Sequence, residues 1–439
     1  MFRNRNVSIL KYIFKPISGE RLNEMQEVKI TVNEHHGDYV VPLVFPDGWS
    51  VERVEMACSG KPPMTDDEVR SALDNAVGAP NIEGQARGKN GRIAITCDDL
   101  SRPTPAKRVF PFIIEQLHEA GIPDGRIFVL GSFGCHHPMN LDAYARKLGD
   151  DAVARYDCIN HNPFDNFENL GRTSRGTPVL VNKEFASADL RICISGVKKH
   201  KWAGAGGGGK AVLPGVSSIN TILYNHGIIE GHRPENRRIW WIRENPERLD
   251  MQETARIAGL NVSVNCVYND RRELIDLSAG DVDDAWREAV KGCYSAHASK
   301  PAGKADVVVV NAYPQADQDI DWWGAEDSLR EGGTAIAVHN FTPGSALLHY
   351  RAEQMGAPWN RIRGQYPRLW PVKHAGHIIV YTNRLSRRQM LQYDDRIEWI
   401  TDWDVVLSRL RELHGDEASV AVYPCGKIQF NGNKYPLVL

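Results

Sequence analysis

Short apolar runs alternate with longer stretches of helical spacing along most of the chain. Residues 28–33 and 39–44 are strand-like and meet through His35-His36-Gly37-Asp38, which predicts a hairpin. A loop and the segment 51–57 follow. The spacing then predicts a helix over 65–77, with Thr65 as its cap and Glu68 completing a capping box. From residue 92 the pattern becomes regular. Strands are predicted at 92–97, 126–131, 178–182, 190–196 and 261–269, with helices at 106–121, 141–149, 216–225 and 281–298. The charged, tryptophan-bearing segment 232–255 reads as a surface helix or an insertion. Past a boundary at 299–305, strands recur at 306–312, 334–340, 377–383 and 420–424, and helices near 325–331, 344–355 and 404–414. Short continuous apolar strands between amphipathic helices indicate an α/β fold. We therefore expect two domains, each a mostly parallel sheet flanked by helices, with the active site in the cleft between them. The expected division is an extension over 1–27, a cofactor-binding unit over 28–298 and a second unit over 299–439.

Composition changes this picture little. The 439 residues suffice for two or three cores, with 42% apolar and 25% charged residues. A net charge of −2 argues against a nucleic-acid partner. The eight cysteines are scattered without a CxxC pair, which disfavours a thiolate metal site and a disulfide framework and makes a reducing cytoplasm the default. No apolar run approaches the about 20 residues needed to span a bilayer. The basic N-terminus lacks the long apolar core of a signal peptide.

Three loops that follow strands carry the chemistry. The first is Asp98-Asp99-Leu100-Ser101-Arg102-Pro103-Thr104-Pro105, where Arg102 offers a planar fork to phosphate or carboxylate; a helix cap with a buried ion pair would explain it equally well. The second is Gly134-Cys135-His136-His137-Pro138, of whose adjacent histidines at most one is expected to be chemical. The third runs from Lys198 through His200 and a glycine-rich loop to Lys210, and the helix after it ends near His226. Five glycines among six residues before a lysine suggest close approach of a phosphate-bearing ligand. A nucleotide-hydrolysing P-loop competes for this stretch. However, Ala211 lacks the hydroxyl that such a loop uses for magnesium, and Pro214-Gly215 would interrupt its helix.

Taken together, these motifs resemble the lactate racemase family, whose members use a nickel-pincer nucleotide. The resemblance lies in 98–105, in 134–139, where the family often reads GTHRPM, and in 200–215 followed by Asn225-His226. The ten-residue step from His200 to Lys210 and the sixteen-residue step to His226 fit the family pattern. The resemblance implies a pyridinium-3,5-bisthiocarboxylic acid mononucleotide carrying nickel and joined covalently to Lys210, with His226 as the protein's nickel ligand. Gly206, Gly207, Gly208 and Gly209, with nearby basic residues, would receive its phosphate, and Asp99, Ser101 and Arg102 would line the site. His136 and His200 would act as paired acid–bases on two faces of a 2-hydroxy acid, whose C2 hydride the cofactor stores, with Arg102 and Asp99 completing the catalytic set. Proteins that make the cofactor and insert nickel are implied as partners.

The sequence departs from the family where substrate is held. His137 replaces the usual arginine, and 313–327 lacks the lysine expected at a lactate carboxylate. Trp322 and Trp323 occupy that neighbourhood, which suggests either an apolar wall for a larger or aromatic 2-hydroxy acid or plain packing. The expected function is racemisation or epimerisation of a 2-hydroxy acid other than lactate. The alternatives are another hydride transfer at a hydroxyl carbon with the same cofactor, and a binding protein that has lost its chemistry.

Overall fold

The run at 92–97 forms the strand Ile93–Cys97, buried at every position. Burial on both faces is what a continuous apolar strand requires, and it places this strand inside a sheet. That sheet has six strands, ordered Leu274–Gly280, Val262–Tyr268, Leu190–Gly196, Ile93–Cys97, Ile127–Gly131 and Asp157–Asn160. All neighbours are parallel except the first pair. The computed structural model describes residues 25–34, 37–231, 239–315, 320–340, 369–385, 387–390 and 393–439. The expected helix at 344–355 and all but the last three residues of the expected extension fall outside them.

A second six-stranded sheet is wholly parallel, ordered Glu398–Ile400, His377–Tyr381, Leu329–Val338, Ala305–Asn311, Ser419–Tyr423 and Ser50–Arg53. The hairpin forms with strands Met25–Glu34 and Gly37–Pro46. Its buried Ile30, Val32, Leu43 and Phe45 share a core with Val307, Val309 and Ile336 of this second sheet. Residues 25–54 thus pack with the second sheet, although the sequence places them with the first. Strand pattern reports which residues are buried and is silent on the distant strand they pair with. The expected capping box is present, Thr65 and Glu68 each bonding the other's backbone at the helix Asp66–Asp74.

The larger departure concerns 232–255. Its described part contains the helix Pro246–Ile257, whose Glu247, Arg248, Asp250, Met251, Gln252 and Thr254 are buried. A helix with this many polar residues reads as a surface helix. Here Arg248, Asp250 and Gln252 are hydrogen-bonded to other buried polar groups, which sequence periodicity does not register. Among the described residues no helix is long and apolar enough to cross a membrane.

Candidate functional site

The three motif loops leave the carboxyl ends of three strands that are neighbours in the first sheet: Ile127–Gly131, Ile93–Cys97 and Leu190–Gly196. The chain runs outward from Ile93–Cys97 to one side and later returns on its other side, so the loops diverge and leave a crevice there. A cavity of about 490 Å³ lies at this point. Asp99, Arg102, His136, His200, Lys210 and His226 all line it.

In the first two loops a chain of contacts fixes His136. Its Nδ1 lies 2.7 Å from Asp99 Oδ2, and its Nε2 lies 3.2 Å from an Arg102 guanidinium nitrogen. Arginine only donates, so Nε2 accepts and Nδ1 carries the hydrogen given to Asp99. Burial alone would raise the Asp99 carboxyl, but His136, Arg102 and Ser101 more than reverse this and hold it well below the usual carboxylate range. Ser101 lies outside the cavity lining; its hydroxyl accepts from Arg102 at 2.9 Å and its amide donates to Asp99 at 2.7 Å. Lys147 escaped the sequence reading. It is 4% exposed, pairs with Asp98, and donates to the carbonyls of Asp99 and Arg102 at 3.2 and 3.1 Å, which pins the loop from beneath.

His200 is held in the opposite sense. Its Nδ1 accepts the amides of Trp202 and Ala203 at 3.3 and 3.0 Å. In the neutral ring the hydrogen therefore sits on Nε2. Burial first, and then the positive charges of Lys210, Lys198, Arg248 and Lys201, hold its pKa well below the ordinary histidine value, so the ring stays neutral.

The glycine loop differs from the expected phosphate cradle. The amides of Gly206, Gly208 and Gly209 donate to Lys198 O, Asn265 Oδ1 and Gln252 Oε1 at 2.7, 3.1 and 2.6 Å. Only Gly206 and Gly207 of the four line the cavity. Gly208 has φ +60, and a Cβ there would meet Trp286 at 2.7 Å. Arg248 donates to the carbonyls of Ala203 and Gly207 at 3.1 and 3.0 Å, and Trp286 Nε1 to Gly206 O at 2.7 Å. The glycines thus allow close packing on the polar helix and Trp286, and this holds Lys210 at the cavity. The cationic side chains on the cavity wall include Arg102, Lys198, Lys201 and Lys210.

His226 reaches the cavity from the helix Ile219–Gly231, which starts later and runs longer than the 216–225 expected. Among the described residues no group of three or more His, Cys, Asp or Glu is arranged to hold a metal ion. A single imidazole beside a lysine and several cations fits a metal that arrives with donors of its own on an anionic carrier.

The far wall comes from segments that follow strands of the second sheet, including the helix Trp323–Ser328: Gln315, Asp321, Trp323, Glu326 and Lys427. Of the tryptophan pair, read as either an apolar wall or packing, one member faces the cavity and the other does not. Trp322 is 6% exposed, sits in the second sheet's core and does not line the cavity. Trp323 does line it, but its Nε1 donates to Gly426 O at 3.0 Å, and its ring packs edge-on against Tyr423 with Lys199 Nζ 5.3 Å from its centre. Lys199 also pairs with Asp321 at 2.8 Å. His137 does not line the cavity either. It directly follows His136 in the chain, and adjacent side chains diverge.

Residues 36–237 match the family model described as the lactate racemase N-terminal domain. The lactate racemase of Lactiplantibacillus plantarum is 32% identical over 281 residues, 62% of this chain and 65% of that protein. The lactate racemase of Thermoanaerobacterium thermosaccharolyticum is 28% identical over 282 residues, again 62% and 65%. The matches thus span just under two thirds of these relatives. The structure of the lactate racemase apoprotein from T. thermosaccharolyticum superposes with a TM-score of 0.67 at 21% identity, covering 92% of this chain and 100% of that one. A Thermotoga maritima protein of solved structure gives 0.59 at 16% identity, covering 84% and 98%. At these identities the two structures speak for the fold.

Proposed function

We propose that this chain, which belongs to the lactate racemase family, inverts the hydroxyl-bearing carbon of a polar 2-hydroxy acid with a nickel-pincer nucleotide held at Lys210 and His226. The observation that carries the reading is that one cavity gathers His136, His200, Lys210 and His226. The Lys210 amine would form the covalent link, His226 would ligate nickel, and Arg102, Lys198 and Lys201 would face the phosphate. Once bound, the group supplies an acceptor for the hydride at C2.

The chain's own residues handle the proton. His136 Nε2 carries no hydrogen and can exchange its contact with Arg102 for the hydroxyl proton, and Asp99 stabilises the imidazolium that forms. His200 Nε2 carries a hydrogen and can donate to the substrate oxygen from its own side. One imidazole is thus set to accept and the other to donate, as proton handling on two faces of one carbon requires. Arg102 bonds His136 and also faces the cavity, so before substrate binds it keeps Nε2 in its accepting state, and it can turn to an anionic group of the substrate as Nε2 takes the proton.

The far wall favours a polar substrate over an aromatic one. Among its described lining residues the cation is Lys427, which is 8% exposed, while Asp321 is ion-paired with Lys199 of the opposite wall. Lys427 is the residue we assign to the carboxylate, in place of the lysine missing from 313–327. Asp321, Gln315 and Glu326 offer hydrogen bonds to oxygens further along the substrate. The test is production in a host that makes the cofactor, followed by intact mass, nickel content and a panel of chiral 2-hydroxy acids. An adduct on Lys210 with inversion of a polyhydroxylated or otherwise polar member is expected. No adduct, or inversion confined to aromatic members, would overturn the reading.

A further inference from the structure

The side chains buried behind His226 dictate which of its ring nitrogens carries a hydrogen. Asp250 is fully buried and is met by three neutral donors. Thr173 Oγ1 lies 2.6 Å from its Oδ1, and Thr177 Oγ1 and Asn225 Nδ2 lie 2.8 and 2.7 Å from its Oδ2. A carboxylate only accepts, so Asn225 must turn its amide nitrogen toward Asp250. The same nitrogen donates to the carbonyl of Glu247 at 3.3 Å, which makes the same demand. The amide oxygen of Asn225 is thereby aimed the other way and lies 3.2 Å from His226 Nδ1. That oxygen also only accepts, so His226 must present a hydrogen on Nδ1. The Glu247 carboxylate, 1% exposed and 3.9 Å from the same nitrogen, places negative charge where it favours that hydrogen. Nε2 is left with its lone pair.

We propose that Asp250, acting through Asn225, is a positioning residue that locks His226 in the Nδ1–H tautomer, so that Nε2 alone is offered as a metal donor. The proposal rests on the reading of His226 as the nickel ligand. A metal-bound histidine needs its other nitrogen fixed in this way, and partners of this kind typically contribute about 10- to 100-fold in metal affinity. None of Thr173, Thr177, Asn225, Glu247 and Asp250 lines the cavity, and Asp250 and Asn225 are both fully buried.

The test uses the full chain without cofactor, labelled with ¹⁵N-histidine, and reads the tautomer from two-bond ¹H–¹⁵N correlations, the His226 signals being assigned by their loss in His226→Gln. The wild-type chain is expected to show His226 as Nδ1–H alone, and Asp250→Asn and Asn225→Leu to admit the Nε2–H form. Wild-type His226 found as Nε2–H, or as a mixture, overturns the proposal whether or not the variants fold. In protein from a cofactor-making host, Asp250→Asn is expected to lose nickel about 10- to 100-fold more readily under chelation; nickel retention equal to wild type overturns the link to metal binding. Full nickel content in His226→Ala would sink the ligand reading while leaving the tautomer result standing, so the two failures are told apart.

Discussion

The cavity has two walls of different construction. On the first-sheet side, each chemical group is fixed by a buried partner that has no other visible purpose: His136 by Asp99, His200 by two backbone amides, and the loop bearing Lys210 by Arg248 and Trp286. On the second-sheet side, the contacts hold side chains in place without aiming a reacting atom: Asp321 pairs with Lys199 of the opposite wall, and Trp323 donates to a backbone carbonyl. The first wall is built for geometry, because proton transfer and metal ligation fail when a ring is turned. The second is built for selection, where a new side chain alters affinity and leaves the chemistry standing.

The sharpest way to break this contrast is Lys210→Ala. It is expected to abolish the covalent adduct seen by intact mass, together with all activity, whereas Trp323→Phe on the far wall should keep the adduct. Activity retained without Lys210 would end the argument. Next in size, Asp99→Asn is expected to lower kcat by roughly 10²–10⁴-fold with a much smaller change in KM, since it spoils an acid–base group. Steady-state kinetics that showed a change in KM alone would move Asp99 to the selecting wall. Lys427→Met should do the converse, raising KM roughly 10- to 100-fold, which corresponds to the about 1.5–3 kcal/mol of a charged hydrogen bond. An unchanged KM would remove Lys427 from the substrate.

The smallest effect concerns what lies behind the first wall. Burial pulls both His161 and His297 down to about 4, against the opposing pull of a hydrogen bond to the backbone. The folded chain keeps them neutral while the unfolded chain binds protons below about pH 6.5. Stability is therefore full above that pH and falls as pH drops toward 4, by about 1.4 kcal/mol per pH unit for each histidine. Urea midpoints at pH 7 and pH 5 should show the decline, and His161→Gln should flatten it; identical midpoints in wild type would contradict it.

Much of this was legible in the sequence. The strands at 93–97, 127–131 and 190–196 follow from continuous apolar runs, and their loops carry residues whose chemistry is visible one by one. What stayed hidden was polar support. Asp250, Gln252, Asn265 and Lys147 look like surface residues in a linear chain, and only the fold shows that they are buried and paired. Asn225 beside His226 was the one signal that could have led to the network. The tryptophan pair of the far wall left apolar wall and packing both open, because side-chain direction within a short turn cannot be read from composition.

The strand Ser50–Arg53 has a consequence for how the molecule is made. It leaves the ribosome long before its partner, Ser419–Tyr423. Everything between the two must be synthesised before this strand finds its place, so the second sheet closes late. Removing Ser419–Tyr423 would therefore also unpair Ser50–Arg53. Dividing the gene at residue 298 would strand the opening segment away from the sheet it completes.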